Sequence, residues 1–189
     1  MTNHADYLKY LRTRSTWGRL YRTYWLYPRL SRSLKGRVLD IGCGIGDLLV
    51  FRPGTVGADV NPLIVESNQL QGLNVHLIVE NKLPFLDAVF DTVIMDNVLE
   101  HIPGPEALLT EVRRVLEPGG VFLVGVPGKK GFLADSDHKV FYDQASLEAC
   151  LNNCGFSINN TFWMPFHWKW LDSRMSQYCL YGVFRSTKK

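Results

Sequence analysis

The spacing of apolar residues changes character once along the chain. Over residues 5–27 they recur at intervals of three and four, so Trp17, Leu20, Tyr21, Tyr24 and Trp25 fall on one helical stripe with Arg19 and Arg22 beside it. This predicts one or two amphipathic helices, ended by Pro28. From Arg37 the rhythm becomes short apolar runs alternating with helical patterns. Val38–Ile41, Thr55–Asp59, Asn74–Val79, Phe90–Met95 and Val121–Val126 read as strands. Asp47–Phe51, Pro62–Leu70, Pro105–Leu116 and Gln144–Asn152 read as helices, the last capped by Gly155. Pro118-Gly119-Gly120 reads as a turn, and Phe156–Thr161 and Gln177–Arg185 as two closing strands. Strands alternating with helices predict an α/β fold with a mostly parallel, doubly wound sheet covered on both faces. The chain then divides into a helical extension or lid over residues 1–36 and a main unit over 37–189, within a single domain overall.

Charge sharpens that division. Residues 1–37 hold nine basic side chains and one acid, Asp6, whereas the rest of the chain holds 12 basic and 17 acidic groups. A slightly acidic body thus carries a strongly basic, aromatic N-terminus. No apolar run approaches the roughly 20 residues that cross a bilayer, and the N-terminus lacks the apolar core of a secretory signal. A cytoplasmic location is expected, with peripheral membrane contact through the basic segment left open. Of the four cysteines, Cys150 and Cys154 are four apart, but no second pair with zinc spacing accompanies them. Reduced thiols and no metal site are expected.

The stretch VLDIGCGIGD, Val38–Asp47, carries the first chemistry. It follows the first strand, where ligands of doubly wound sheets bind. Gly42, Gly44 and Gly46 allow backbone to approach a ligand closely. A dinucleotide fingerprint would need a third glycine at position 47, which is Asp47. An acid there also opposes a pyrophosphate, although it equally suits a helix N-terminus. Asp59 ends the second strand, where a carboxylate can accept from both hydroxyls of a ribose. The residues therefore point to a nucleoside-bearing ligand without a diphosphate.

VLDIGCGIG, the acid of GADVNP, LPFLDAVFDTVIMDNVLEHI, EVRRVLEPGG and DHKVFYDQASLEACLNNCGF follow one another in the order of the class I S-adenosylmethionine-dependent methyltransferases. From about Arg37 to Phe156 the chain resembles the small-molecule, type 11 group of that family, whose fourth strand is followed by VLEHI. The resemblance implies a Rossmann-like, seven-stranded sheet with an antiparallel last strand. It implies S-adenosyl-L-methionine as donor, S-adenosyl-L-homocysteine as product and a small-molecule acceptor. Carried over by position, it implies that Asp40 and the loop Gly42, Cys43, Gly44 and Gly46 hold the methionine part, Asp40 through water. Asp59 would take the ribose and Val60 the adenine face, while Asp96 and Asn97 would lie near the reacting sulfonium. The family's acid for the adenine amino group would fall at Val79, which leaves Glu80 and Asn81 as the neighbouring candidates.

A hydroxyl or amine acceptor calls for a base, and His101, Asp137, His138, Tyr142 and His167 are the candidates. His138 and His101 lead as catalytic residues, His138 because DHKVFY follows the fifth strand, where the family places acceptor-facing groups. Glu111, Arg114 and Asp91 read as surface residues. Phe162, Trp163, Phe166, Trp168 and Trp170 in FWMPFHWKW suit stacking on sugars, flat rings or cations. The N-terminal arginines suit a phosphate-bearing acceptor or an anionic membrane. Nucleic acid is disfavoured by the acidic body. A hydroxyl of a sugar or glycan precursor is the leading acceptor, a quinone-like or lipidic acceptor the second, and a non-catalytic binding module a third reading.

Overall fold

The computed structural model describes residues 4–13 and 15–187. Arg14, one of the nine basic side chains, lies outside the described residues.

The N-terminal segment forms α1 (His4–Arg12), α2 (Thr16–Tyr21) and α3 (Tyr27–Leu30), with a π-helical turn over Arg22–Leu26 joining the last two. Ser15 caps α2 by accepting from the Gly18 amide. The predicted stripe is not the buried one. Trp17 and Tyr24 are 80% and 74% exposed, while Leu26, Tyr27 and Leu30 pack with Val38, Ile94, Leu123 and Tyr181. The π turn fits one more residue into a turn, so the face that meets the sheet rotates away from the 3.6-residue extrapolation.

The main unit follows the expected alternation: β1 (Val38–Ile41), α4 (Asp47–Phe51), β2 (Val56–Asp59), α5 (Pro62–Gln69), β3 (Val75–Leu77) and β4 (Phe90–Asp96). Then come α6 (Glu106–Val115), β5 (Leu116–Pro127), α7 (Lys129–Leu133), α8 (Gln144–Asn153), β6 (Phe156–Met164) and β7 (Cys179–Ser186). The strands form one seven-stranded sheet in the order β3-β2-β1-β4-β5-β7-β6, and β7 alone runs antiparallel to its neighbours. This is a Rossmann-like, mostly parallel sheet with an antiparallel last strand.

Two strands begin or end differently from the sequence pattern. Pairing of β4 with β5 starts at Leu116 opposite Phe90 and resumes at Val121 opposite Thr92, so Pro118-Gly119-Gly120 bulges within a strand. β6 continues to Met164 because its partner β7 stays paired to Cys179. An apolar cluster packs on each side of the sheet, with Phe122, Phe156 and Phe184 on one face and Ile94, Leu123 and Tyr181 on the other. Among the described residues no helix is long and apolar enough to cross a membrane.

Topology places the site. The chain runs outward from β1 to β2 and β3, then returns to β4 on the other side of β1. The crevice at the carboxyl ends of β1 and β4 is the switch point where such sheets bind ligands.

Candidate functional site

Two hollows open at that crevice, sharing Gly42 and Asn97 as a common wall. The larger, about 340 Å³, is lined by Ile41, Asp59, Val60, Ile78, Asn81 and Val98, with His101, Ile102 and Asp137 from the loops after β4 and β5. Its size lies at the lower end of the range for small-molecule sites, about 300–1,000 Å³. The smaller, about 60 Å³, is lined by Asp40, Cys43, Gly44, Asp47 and Asp96, and is closed by Leu11, Arg22 and Tyr27 from the N-terminal segment.

The glycine loop is folded by its own backbone. The Gly42 amide donates to the Ala58 carbonyl at 2.7 Å, and the Gly46 amide to the Cys43 carbonyl at 3.0 Å. Gly42 and Gly46 hold φ at +72° and +79°, where a side chain is disfavoured. A Cβ on Gly42 would strike Val98, and one on Gly46 would strike Leu73. Asn68, buried on α5, donates to the Gly44 carbonyl at 2.7 Å and fixes the loop from behind.

Asp59 sits at the junction of loop and larger hollow. One carboxylate oxygen accepts from the Gly44 amide at 3.1 Å, the other from the Asn61 amide at 2.9 Å. Each oxygen keeps a second lone pair. Burial raises its pKa, while the bonds from Asn61 and Gly44 oppose the rise. Val60 is 63% exposed on the rim, placed to cover a flat group. Asn81 reaches the hollow in a positive-φ turn bridged by Val79 and Lys82, and Glu80 is exposed on that turn. Of the two candidates there, Asn81 is the residue that lines the cleft.

The smaller hollow concentrates charge. Asp40 is 5% exposed, and burial, then the neighbouring Asp96, pushes its carboxyl well above the usual carboxylate range, with Arg22 opposing. Asp96 accepts from Arg22 at 3.2 Å, from the Tyr181 hydroxyl at 2.7 Å and from the Asn97 side-chain amide at 3.0 Å. The sequence pattern sets Arg22 beside the aromatic stripe and gives no sign that its side chain enters this hollow. Three carboxylates, Asp40, Asp47 and Asp96, and one guanidinium around a small hollow suit a zwitterion: an ammonium beside the acids, a carboxylate beside the arginine.

Beyond Asn97, a short 3₁₀ turn over Leu99–His101 carries Glu100 and His101. Glu100 is fully buried, and burial pushes its carboxyl up to about 8. His101 lines the larger hollow, and its Nδ1 lies 3.2 Å from the Asp137 carbonyl. His138 stands behind it, ring centroids 4.7 Å apart, with Nδ1 2.9 Å from the Phe132 carbonyl. Asp137 lines the hollow as well, whereas Tyr142 is placed in the core and His167 on the groove by the N-terminal segment. Glu100, between Leu99 and His101, carries no signal of its own in the sequence, where only its neighbour His101 reads as a candidate base.

The remaining candidates separate. Asp91 is a surface residue, accepting from the Arg37 amide at 2.7 Å. Glu111 and Arg114 are more than a solvated face: Arg114 bonds Glu111, Asp87 and the carbonyls of Leu83 and Phe85, pinning the loop before β4 to α6. The aromatic stretch divides. Trp163 stacks on Tyr178 at 4.8 Å and Phe162 on Tyr181 at 5.3 Å, while Phe166, Trp168 and Trp170 stack in series at the surface.

The model of a family described as a methyltransferase domain matches residues 39–124. A Mycolicibacterium smegmatis protein named "Probable S-adenosylmethionine-dependent methyltransferase" is 32% identical over 149 residues, covering 72% of this chain and 58% of its own. The ubiquinone/menaquinone biosynthesis C-methyltransferase UbiE of Desulfotalea psychrophila is 33% identical over 95 residues, covering 45% of this chain and 39% of its own. The chain spans about half the length of the curated relatives it matches. Among solved structures, a SAM-dependent methyltransferase from Aquifex aeolicus shares the fold with a TM-score of 0.71 and 18% identity, covering 99% of this chain and 100% of its own. Sheet order, glycine loop and Asp59 agree with these likenesses: over residues 39–124 the chain matches the methyltransferase-domain family, and its fold is that of the S-adenosylmethionine-dependent methyltransferases it resembles.

Proposed function

We propose that the chain binds S-adenosylmethionine across the two hollows and transfers its methyl group to a small acceptor. One observation carries the reading: a nucleoside-sized hollow headed by Asp59 adjoins a small one holding Asp40, Asp96 and Arg22. That pairing suits a nucleoside joined to an amino-acid zwitterion. Asp59 accepts from the ribose hydroxyls, Val60 and Ile78 sandwich the adenine, and Asn81 meets its amino group. Asp40 and Asp96 hold the ammonium, and Arg22 the carboxylate. Gly42 and Asn97, shared by both hollows, flank the reacting centre. Leu11, Arg22 and Tyr27 close the small hollow from the N-terminal segment, as a lid would.

S-adenosylmethionine supplies a methyl group already activated on a sulfonium. What remains for the protein is to align the nucleophile, exclude water and take up a proton. Proton removal is assigned to the cluster of Glu100, His101 and His138, of which His101 lines the larger hollow.

The acceptor assigned first is a hydroxyl of a sugar or glycan precursor, free or phosphate-bearing. Its support is an open groove in which Tyr24, Trp25, Arg29 and Arg32 face Phe162 and Phe166, offering aromatic faces and cations together. A quinone-like or lipidic acceptor at a membrane surface is the second reading, favoured by the exposure of Trp17, Tyr24, Trp25, Trp168 and Trp170. Release of S-adenosylhomocysteine should be measured with phosphosugars and sugar nucleotides on one side and hydroxylated quinone precursors in anionic vesicles on the other. Turnover in the first set supports the first reading, and turnover in the second alone supports the second. Binding of S-adenosylhomocysteine with turnover in neither would leave a binding module.

A further inference from the structure

We infer that Glu100, His101 and His138 form a binding site for a first-row divalent transition-metal ion at the wall of the cleft. Both Glu100 oxygens are buried without a hydrogen-bond partner. A carboxylate in that state is costly unless a proton or a cation compensates it. Among the described residues its ion-pair contact is with His138, whose Nε2 lies 3.7 Å from Oε1, too far for a hydrogen bond.

Tautomers sharpen the point. The Phe132 carbonyl can only accept, so the 2.9 Å contact makes His138 Nδ1 the protonated nitrogen. The same holds for His101 Nδ1 against the Asp137 carbonyl at 3.2 Å. In the neutral rings both Nε2 atoms are then bare lone pairs. Imidazoles that ligate metals are held in this way, the second ring nitrogen donating to a carbonyl or carboxylate.

The ligand atoms offered by Glu100, His101 and His138 all lie within 4.8 Å of one another. Bonds of about 2.0–2.2 Å in tetrahedral geometry place ligand atoms ~3.4 Å apart, so closure needs side-chain shifts on the order of 1 Å. The Asp135 carboxylate, 4.0 Å from His138 Nε2, is available as a fourth group. Two imidazoles and one carboxylate suit zinc and its first-row neighbours rather than the oxygen-seeking magnesium or calcium.

Sequence spacing gave no hint of this site, because residues 100, 101 and 138 meet only through the β5 crossover. Of the three, His101 lines the larger hollow, so the site borders the cleft. If the methyl-transfer reading holds, a cation there lowers the pKa of an acceptor hydroxyl and takes over the task of a base. The ligand set itself does not depend on that reading.

The test uses the tag-free full chain, stripped with chelator and titrated with Co²⁺ by visible absorption and with Zn²⁺ by calorimetry. One equivalent is expected, with ligand-field bands of Co²⁺ and a roughly 100-fold or greater loss of affinity in Glu100→Gln and in His138→Ala. Circular dichroism of each variant reports folding, and the wild-type stoichiometry decides the matter even if a variant fails to fold. Binding of less than about 0.1 equivalent by the stripped wild type, or equal binding by the folded variants, overturns the site. S-adenosylhomocysteine titrated into the same samples reports separately on the cofactor reading.

Discussion

At the scale of single residues, the account turns on carboxylates whose burial is matched to a ligand. Asp59 was legible in the sequence because a strand end, a glycine loop and an acid at the right interval point to one place. Replacing it by Asn keeps its size but removes one acceptor of a ribose hydroxyl. Binding of S-adenosylhomocysteine should weaken by about 1.5–3 kcal/mol, roughly 10- to 100-fold, by calorimetry. Asp40 makes a prediction about pH. Burial, then Asp96, raises its pKa in the folded protein, with Asp59 and Asp47 adding to the rise and Arg22 opposing. An acid raised on folding is better tolerated protonated, so its contribution to stability falls as pH climbs from the ordinary carboxylate value through the raised one. An ammonium beside it favours the ionised form. Binding should therefore tighten as pH rises through the same window, with protons released to buffer. Asp40→Asn should flatten that slope, and a slope unchanged in the variant would assign it elsewhere.

At the scale of elements, the seven strands of the main unit and the helices between them were legible because short continuous apolar runs alternate with stretches of 3.6-residue period. In the N-terminal segment the helices were legible but the buried face was not, since the π turn at Arg22–Leu26 leaves no trace in residue type. It turns Arg22 into the small hollow and leaves Trp17 and Tyr24 in solvent. Arg22→Met should leave Asp96 with fewer donors and lower the melting temperature by about 4–8 °C, equivalent to about 2 kcal/mol. Adding Asp96→Asn should recover part of that loss if the two interact, and strict additivity of the two changes would contradict the pairing. Arg114 plays a comparable part for the loop before β4, which it holds through the Leu83 and Phe85 carbonyls and Asp87. Arg114→Ala should cost about 1–2 kcal/mol in thermal unfolding and speed amide exchange over residues 83–88.

At the scale of the whole molecule, the sheet order fixes where a ligand can bind, and the family likeness says which ligand to test. The glycine loop and the strand-end acids that line the crevice were legible because glycines, acids and their intervals are local. The rest is long-range. Glu100 and His138 come from different crossovers, and Arg22 reaches Asp96 across 74 residues of chain. No local pattern encodes such meetings. The aromatic groove of Tyr24, Trp25 and Phe166 is likewise assembled from both ends of the sequence.

The most direct test of the central claim is a calorimetric titration of the full chain with S-adenosylhomocysteine and, in parallel, with NAD. The account predicts one-to-one binding of S-adenosylhomocysteine, sharply weakened in Asp59→Asn, and none of NAD. Binding of NAD without binding of S-adenosylhomocysteine would contradict it.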